Sequence, residues 1–115
     1  MIVRAEDRRQ ILTPNARGGT GTLDKREYVL ERMPERARMF AEIRLEPGCT
    51  LGIHPHVGAY EIFFYKEGEI VLNDNGVERT MHPGDFSICY VGESHGISNR
   101  TDRPASLFAA IIYTE

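Results

Sequence analysis

The sequence predicts an all-β protein in which short strands form a sandwich or barrel. From Tyr28 onward, apolar and polar residues alternate with a period of two, which is the pattern of strands with one buried face. Turn-forming residues interrupt this pattern about every eight to twelve residues, as expected for small all-β folds. A helix is expected at most over residues 31–39, and Pro34 argues against a long one.

The first part of the chain is expected to contain one strand and one loop. Residues 1–12 are predicted to form a short strand, and residues 13–22 a loop, because the latter include three glycines and a proline. The loop carries the run GGTG at residues 18–21, but neither a GK[ST] signature nor a helix follows it. A phosphate-binding loop is therefore disfavoured, and we expect a flexible loop near the mouth of the fold.

Strands separated by turns are predicted for the remainder of the chain. Asn75-Gly76 favours a tight hairpin turn, because these residues tolerate the positive φ that primed turns need, and Pro83-Gly84 marks another turn. The last strand has apolar residues on both faces, which predicts a strand buried on both sides. The predicted strands cover residues 39–45, 51–56, 61–65, 69–73, 77–81, 86–91, 96–99 and 105–113.

Composition and charge disfavour several classes of function. The 115 residues include 14 basic and 17 acidic side chains that are interleaved, which argues against a nucleic-acid-binding protein. The longest apolar run, residues 105–113, is far too short to span a bilayer, and no leader-like apolar segment is visible. Cys49 and Cys89 form no CxxC motif, so both are expected to be free thiols, with a functional role for Cys49 left open. We expect a cytoplasmic protein with no nucleic-acid or membrane partner.

Three histidines and one glutamate form a candidate metal site. Two of the histidines stand two positions apart, so their side chains share one face of a strand. Imidazole and carboxylate groups suit divalent ions such as Fe, Mn, Co, Ni, Cu and Zn. The alternative is a set of histidines that line the interior without a metal. The four residues are His54, His56, Glu61 and His95, whereas His82 fits no ligand position and is expected to be exposed.

These residues lie in two motifs that resemble those of the cupin superfamily. The first cupin motif, G(X)5HXH(X)3,4E(X)6G, is matched at Gly48, His54, His56, Glu61 and Gly68. The second, G(X)5PXG(X)2H(X)3N, is matched at Gly84, Gly92, His95 and Asn99. Tyr90 takes the place of the motif proline and is the one departure. Fifteen residues separate the two motifs, as in compact microbial cupins.

The resemblance implies a fold, a metal and an assembly. The fold would be a double-stranded β-helix, or jelly-roll barrel, in one domain of residues 1–115, with an N-terminal arm over 1–27 and the barrel over 28–115. The arm would pack across the barrel or against a partner subunit, and the chain would form a homodimer. One divalent transition metal, which is Fe, Mn, Zn, Ni or Co, would bind to His54, His56, Glu61 and His95.

Two classes of function remain open at this point. The first is a metal-dependent enzyme, an oxygenase, isomerase or lyase acting on a small organic acid or a sugar-like molecule. The second is a non-catalytic module that binds or senses a metal or a small molecule, because one fold hosts many activities. Catalytic residues are unknown, and Tyr90 is the only candidate, with a packed aromatic bearing a hydrated hydroxyl as its alternative. No Arg or Lys at a motif position is expected to clamp a carboxylate.

Overall fold

The computed structural model describes all 115 residues, which form ten β-strands and two single-turn 3-10 helices. The 3-10 helices are Ala5–Asp7 and Ala16–Gly18. The strands are β1 (Arg9–Pro14), β2 (Thr22–Glu27), β3 (Ala37–Leu45), β4 (Thr50–Pro55), β5 (Ala59–Glu67), β6 (Ile70–Asp74), β7 (Val77–Met81), β8 (Phe86–Cys89), β9 (Ser94–Ser98) and β10 (Ala105–Tyr113). No helix in the structure has the length and apolarity needed to cross a membrane.

The strands form two antiparallel sheets that enclose one core. The larger sheet has the order β1-β2-β3-β10-β5-β8, and the smaller has the order β4-β9-β6-β7. The chain crosses repeatedly between the sheets, as it does when β4 is followed by β5, so residues close in sequence face one another across the interior. This is the all-β jelly-roll architecture that the sequence predicted.

The period-two pattern identified the core correctly. The inward-facing residues of β3, including Met39 and Leu45, are all buried. Along β10, Leu107 points into the core and is fully buried, whereas its neighbour Phe108 lies on the outer face and is half-buried. Within a single chain, the inner face of β10 is therefore completely covered, whereas its outer face is only partly covered. The Asn75-Gly76 turn is also confirmed, with φ of 52° at Asn75 and 91° at Gly76.

The N-terminal region differs from the prediction. β1 begins only at Arg9 and continues to Pro14, and β2 was not foreseen. Both strands extend the larger sheet, because β1 pairs antiparallel with β2 and β2 pairs antiparallel with β3. β2 has no apolar alternation of its own (TLDKRE), and its ladders to β1 and β3 hold it in place. The loop between them is packed against β4 rather than free, because Thr20 exchanges hydrogen bonds with Thr50. Residues 31–36 form no helix, and β3 begins at Ala37.

Candidate metal centre

The four side chains predicted to bind a metal meet inside the barrel. His54 lies in β4, His56 follows that strand directly, His95 lies in β9, and Glu61 comes from β5 in the opposite sheet. All four are buried, and their potential ligand atoms lie within 4.8 Å of one another. The structure thus brings together, across both sheets, residues that are up to 41 positions apart in sequence, from His54 to His95.

A β-bulge gives the two histidines of the first motif their direction. Leu51 pairs with Ile97, but His54 pairs with His95, so β4 contains one residue more than β9 over this stretch. The extra residue reverses the alternation, and therefore Leu51 and His54 both point inward although they are three positions apart. A regular strand would have turned either Leu51 or the histidines toward solvent.

A glycine on the neighbouring strand makes room for this bulge. Gly96 lies against the bulged backbone, and a Cβ at this position would stand 2.9 Å from the carbonyl oxygen of Leu51 and 3.0 Å from the amide nitrogen of Ile53. Any larger residue would push β9 away from β4. Gly96 follows His95 directly, so such a shift would also move one of the candidate ligands.

Three of the candidate donor atoms form a nearly equilateral triangle. His56 Nε2 and His95 Nε2 are 3.0 Å apart, and each lies close to Glu61 Oε1, at 3.1 Å and 3.0 Å respectively. Donors about 2.1 Å from one ion lie about 3.0 Å apart at octahedral right angles and about 3.4 Å apart at tetrahedral angles. The spacing therefore fits one triangular face of an octahedral ion, and the imidazole and carboxylate donors suit a divalent transition metal.

The backbone orients the ring of His54. Its Nδ1 lies 2.7 Å from the carbonyl oxygen of Gly52, which can only accept a hydrogen bond. Nδ1 therefore carries the proton, and Nε2 keeps a free lone pair for a metal. Burial lowers the pKa of His54 against the opposing effect of the Gly52 hydrogen bond, and nearby positive charge, including that of Arg17, lowers it further. The ring is thus held in its neutral, metal-binding form.

Glu61 is held as a carboxylate. Burial by itself would raise its pKa, but hydrogen bonds from His56 and His95 outweigh burial and lower the pKa to about 2. Phe63, two residues along β5, stacks face to face on the ring of His95, with centroids 4.9 Å apart and planes 9° from parallel. Further along, Tyr65 shares a hydrogen bond with Ser87, and burial raises the pKa of Tyr65 to about 12. Packed aromatic side chains therefore hold the candidate ligands in position.

Comparison with known proteins decides the family. Residues 41–111 match the profile of the family described as "Cupin domain". This chain is a cupin. An oxalate-binding protein from Thermotoga maritima is 35% identical to it over 113 residues, which cover 97% of this chain and 93% of the relative.

Solved structures agree with this assignment. A crystal structure from Thermotoga maritima described as a predicted oxalate decarboxylase has a TM-score of 0.92 and 35% identity, and the match covers 98% of this chain and 99% of the other. A sugar phosphate isomerase of the cupin superfamily from Silicibacter pomeroyi has a TM-score of 0.81 and 25% identity, over 99% of this chain and 76% of the other. The cupin fold is thus supported over the full length of the chain.

A cavity in this cupin leads from solvent to the candidate metal centre. It has a volume of about 510 Å³, and His54, His56 and Glu61 lie among its walls. Four basic side chains also line it, whereas Glu27 is the only acidic one besides Glu61. The four are Arg9, Arg17, Lys25 and Arg38. The mouth of the cavity is therefore cationic, which favours anionic ligands.

Sequence reasoning missed this cationic rim because it searched only the two motifs. Three of the four basic residues belong to the N-terminal region, and Arg38 is the second residue of β3. One signal was present in β2. Leu23, Lys25 and Glu27 are spaced two residues apart, so the two charged side chains lie on the same face of the strand as the buried Leu23. This signal has meaning only once residues 22–27 are known to form a strand of the barrel.

The remaining residues of the motifs lie outside the cavity. The side chain of Tyr90 is 58% exposed, and its ring is near that of Tyr60, with centroids 6.4 Å apart. Asn99 is buried and ties the end of β9 to its surroundings, donating to the carbonyl oxygens of Leu45 and Arg103. His82 is exposed, as expected, and lies 3.4 Å from Glu69. The motif asparagine thus has a structural role in this chain.

Proposed function

We propose that this cupin binds one divalent transition metal through His54, His56, Glu61 and His95 and holds a small organic acid of the oxalate type on that metal. The observation that carries the proposal is the triangle of donor atoms at the end of a cavity with a cationic rim. The bound ion would supply Lewis acidity that fixes carboxylate oxygens of the ligand. The metal is Fe, Mn, Zn, Ni or Co in this proposal, because all of them accept imidazole and carboxylate donors.

The chemistry of the cavity supports a small anion as the ligand. Basic side chains surround the path to the metal, and apolar residues such as Leu51 and Ile111 close its walls. A dianion that chelates the metal leaves carboxylate oxygens directed toward this rim, where charge-assisted hydrogen bonds are strong. The 35% identical relative that is named an oxalate-binding protein points to the same ligand class. Oxalate is therefore the first compound to test.

Binding without turnover is the form of this function that the cavity favours. Glu27 is the only carboxylate in the cavity besides the proposed ligand Glu61. Burial would raise the pKa of Glu27, but hydrogen bonds from Arg9 and Lys25 outweigh burial and lower it. Glu27 is thus held as a paired anion and is a poor proton donor at neutral pH. The alternative is a metal-dependent lyase, isomerase or oxygenase. A lyase or oxygenase that acts on oxalate predicts that incubation of the metal-loaded protein with oxalate yields a product.

Metal analysis of histidine variants tests the ligand set. We expect the purified protein to hold one metal ion per chain and His54→Ala or His95→Ala to lose most of it, because each change removes a donor. His82→Ala is the matched control, since His82 is the one histidine of the chain that lies outside the cluster. Retention of full metal by the double variant His54→Ala/His56→Ala would contradict the proposal. Calorimetry with oxalate on the loaded protein then tests the ligand.

We also propose that the chain forms a homodimer through the outer face of its larger sheet. A shallow apolar depression of about 280 Å³ lies there, and all seven residues that line it are hydrophobic. Phe64 and Phe86, on adjacent strands of this face, are 55% and 49% exposed. A twofold axis through such a face would bury the same aromatic surface of both copies, as closed symmetric dimers do.

The compartment is a separate proposal. We propose that the protein works in the cytoplasm, where thiols stay reduced. Cys49 and Cys89 are both free and buried. Burial raises the pKa of Cys89 to about 11, assisted by the neighbouring charge of Glu93, so its thiol is unreactive at neutral pH. Fractionation of cells that express the protein at its native level checks the location, and recovery outside the cytoplasm would contradict it.

A further inference from the structure

The loop between β1 and β2 has an unusual backbone at the mouth of the cavity. Arg17 adopts a left-handed conformation, with φ of 53° and ψ of 34°, and Asn15 two residues earlier does the same. Only a few per cent of residues other than glycine have positive φ, and such residues cluster at functional sites. Gly18 follows with φ of 77°, so the chain reverses sharply around Arg17.

This loop is fastened to the strand that carries His54. The hydroxyl of Thr20 donates to the carbonyl oxygen of Gly48 at 2.9 Å, and the Thr20 amide donates to the Thr50 hydroxyl at 2.7 Å. The backbone of Gly52 also lies directly against the carbonyl group of Arg17, so that a Cβ at position 52 would overlap it. Gly52 accepts the hydrogen bond from the ring of His54 as well, so one backbone segment contacts both residues.

The side chain of Arg17 differs from the other cations of the rim. Arg9 and Lys25 are both paired with Glu27, at 2.6 Å and 3.1 Å, and Arg38 stacks over the ring of Tyr113. Arg17 has no hydrogen bond, ion pair or aromatic contact in the structure, yet it lines the same cavity as the candidate ligands. Of the four basic residues, it is the one whose guanidinium group is available to an incoming anion.

We propose that Arg17 is the anion-recognition residue of this site, held over the cavity mouth to bind the carboxylate oxygens of a small dicarboxylate. This inference rests on the function proposed above and adds the residue that selects the ligand. Arg17 matches no position of the cupin motifs and belongs to the N-terminal region. A guanidinium group offers two parallel N–H donors to a carboxylate, so a fixed arginine selects for planar anions.

Calorimetric titration of the metal-loaded protein with oxalate tests the proposal. We expect Arg17→Gln to bind oxalate about 10- to 100-fold more weakly, which is the effect of losing a charge-assisted hydrogen bond, with metal content unchanged. Arg17→Lys should recover part of the loss, because it restores the charge but not the paired donors. Arg32→Gln is the matched control: Arg32 is also exposed, but it lies away from the cavity beside Met1 and Glu31.

A third variant separates recognition from folding. Arg17→Gly should lose oxalate affinity as Arg17→Gln does, while its melting temperature stays at or above that of the parent, because glycine accepts positive φ without steric cost. Affinity for oxalate within twofold of the parent in Arg17→Gln would overturn the assignment of Arg17 alone. Failure of the metal-loaded parent itself to bind oxalate would overturn the proposed function and this inference with it.

Discussion

At the scale of single residues, Glu42 is the only buried carboxylate outside the metal centre. It lies on the outer face of β3 and is covered by the side chains of Arg8 and Lys66, which donate to its two oxygens at 2.7 Å and 2.9 Å. Burial would raise the pKa of Glu42, but the hydrogen bonds from Lys66 and Arg8 outweigh it and lower the pKa below 4.5. Arg8 of the N-terminal arm and Lys66 of β5 thus neutralise a charge that the sheet would otherwise bury without a partner.

The lowered pKa of Glu42 predicts a pH-dependent contribution to stability. Because the folded pKa is below the unfolded value, this contribution is complete above about pH 4.5 and is lost as the pH falls through the folded pKa. Glu42→Gln should therefore lower the free energy of unfolding by about 1–3 kcal/mol at pH 7, and by progressively less below pH 4.5. Urea denaturation of the metal-free proteins across this range checks it, and a pH-independent difference would contradict it.

Tyr90 gives a second prediction at this scale. The sequence left open whether its phenol reaches a bound ligand. The exposed position of Tyr90, beside Tyr60 and outside the cavity lining, now leads us to expect that Tyr90→Phe leaves oxalate affinity within about twofold of the parent. The same calorimetric titration measures it. A clear loss of affinity at full metal content would show that the phenol does contact the ligand.

At the scale of elements, the contact between β4 and β9 controls the geometry of the site. Gly96→Ala would place a methyl group against the bulged backbone of Leu51 and Ile53. We expect a loss of about 1–3 kcal/mol of stability, typical of overpacking, together with weaker metal binding because His95 moves with the strand. Ser98→Ala, further along β9, is the control and should retain the metal. Thermal melting and metal analysis provide the two measurements, and normal metal affinity in Gly96→Ala would refute the role of the bulge.

At the scale of the whole molecule, the exposed aromatic face predicts the assembly. Light scattering at micromolar concentration should give twice the 13.0 kDa mass of the chain. Phe64→Glu should shift the protein toward monomer, since it places a charge at the centre of the proposed interface. Val77→Glu, equally exposed on the smaller sheet, should leave the mass unchanged. A monomer mass for the parent protein would rule the dimer out.

The sequence by itself determined the fold class, most strand positions and the four residues that meet at the centre. Period-two alternation identifies the inner faces of β3 and β10 because burial acts on every second residue of a strand. The motif spacing placed His54, His56, Glu61 and His95 together through a family resemblance.

Three other features were decided only by the tertiary structure. The bulge at β4 depends on pairing with β9, β2 exists because β1 and β3 flank it, and Arg17 reaches the cavity because its loop packs on β4. Each of these depends on contacts between segments distant in sequence, which no local pattern encodes.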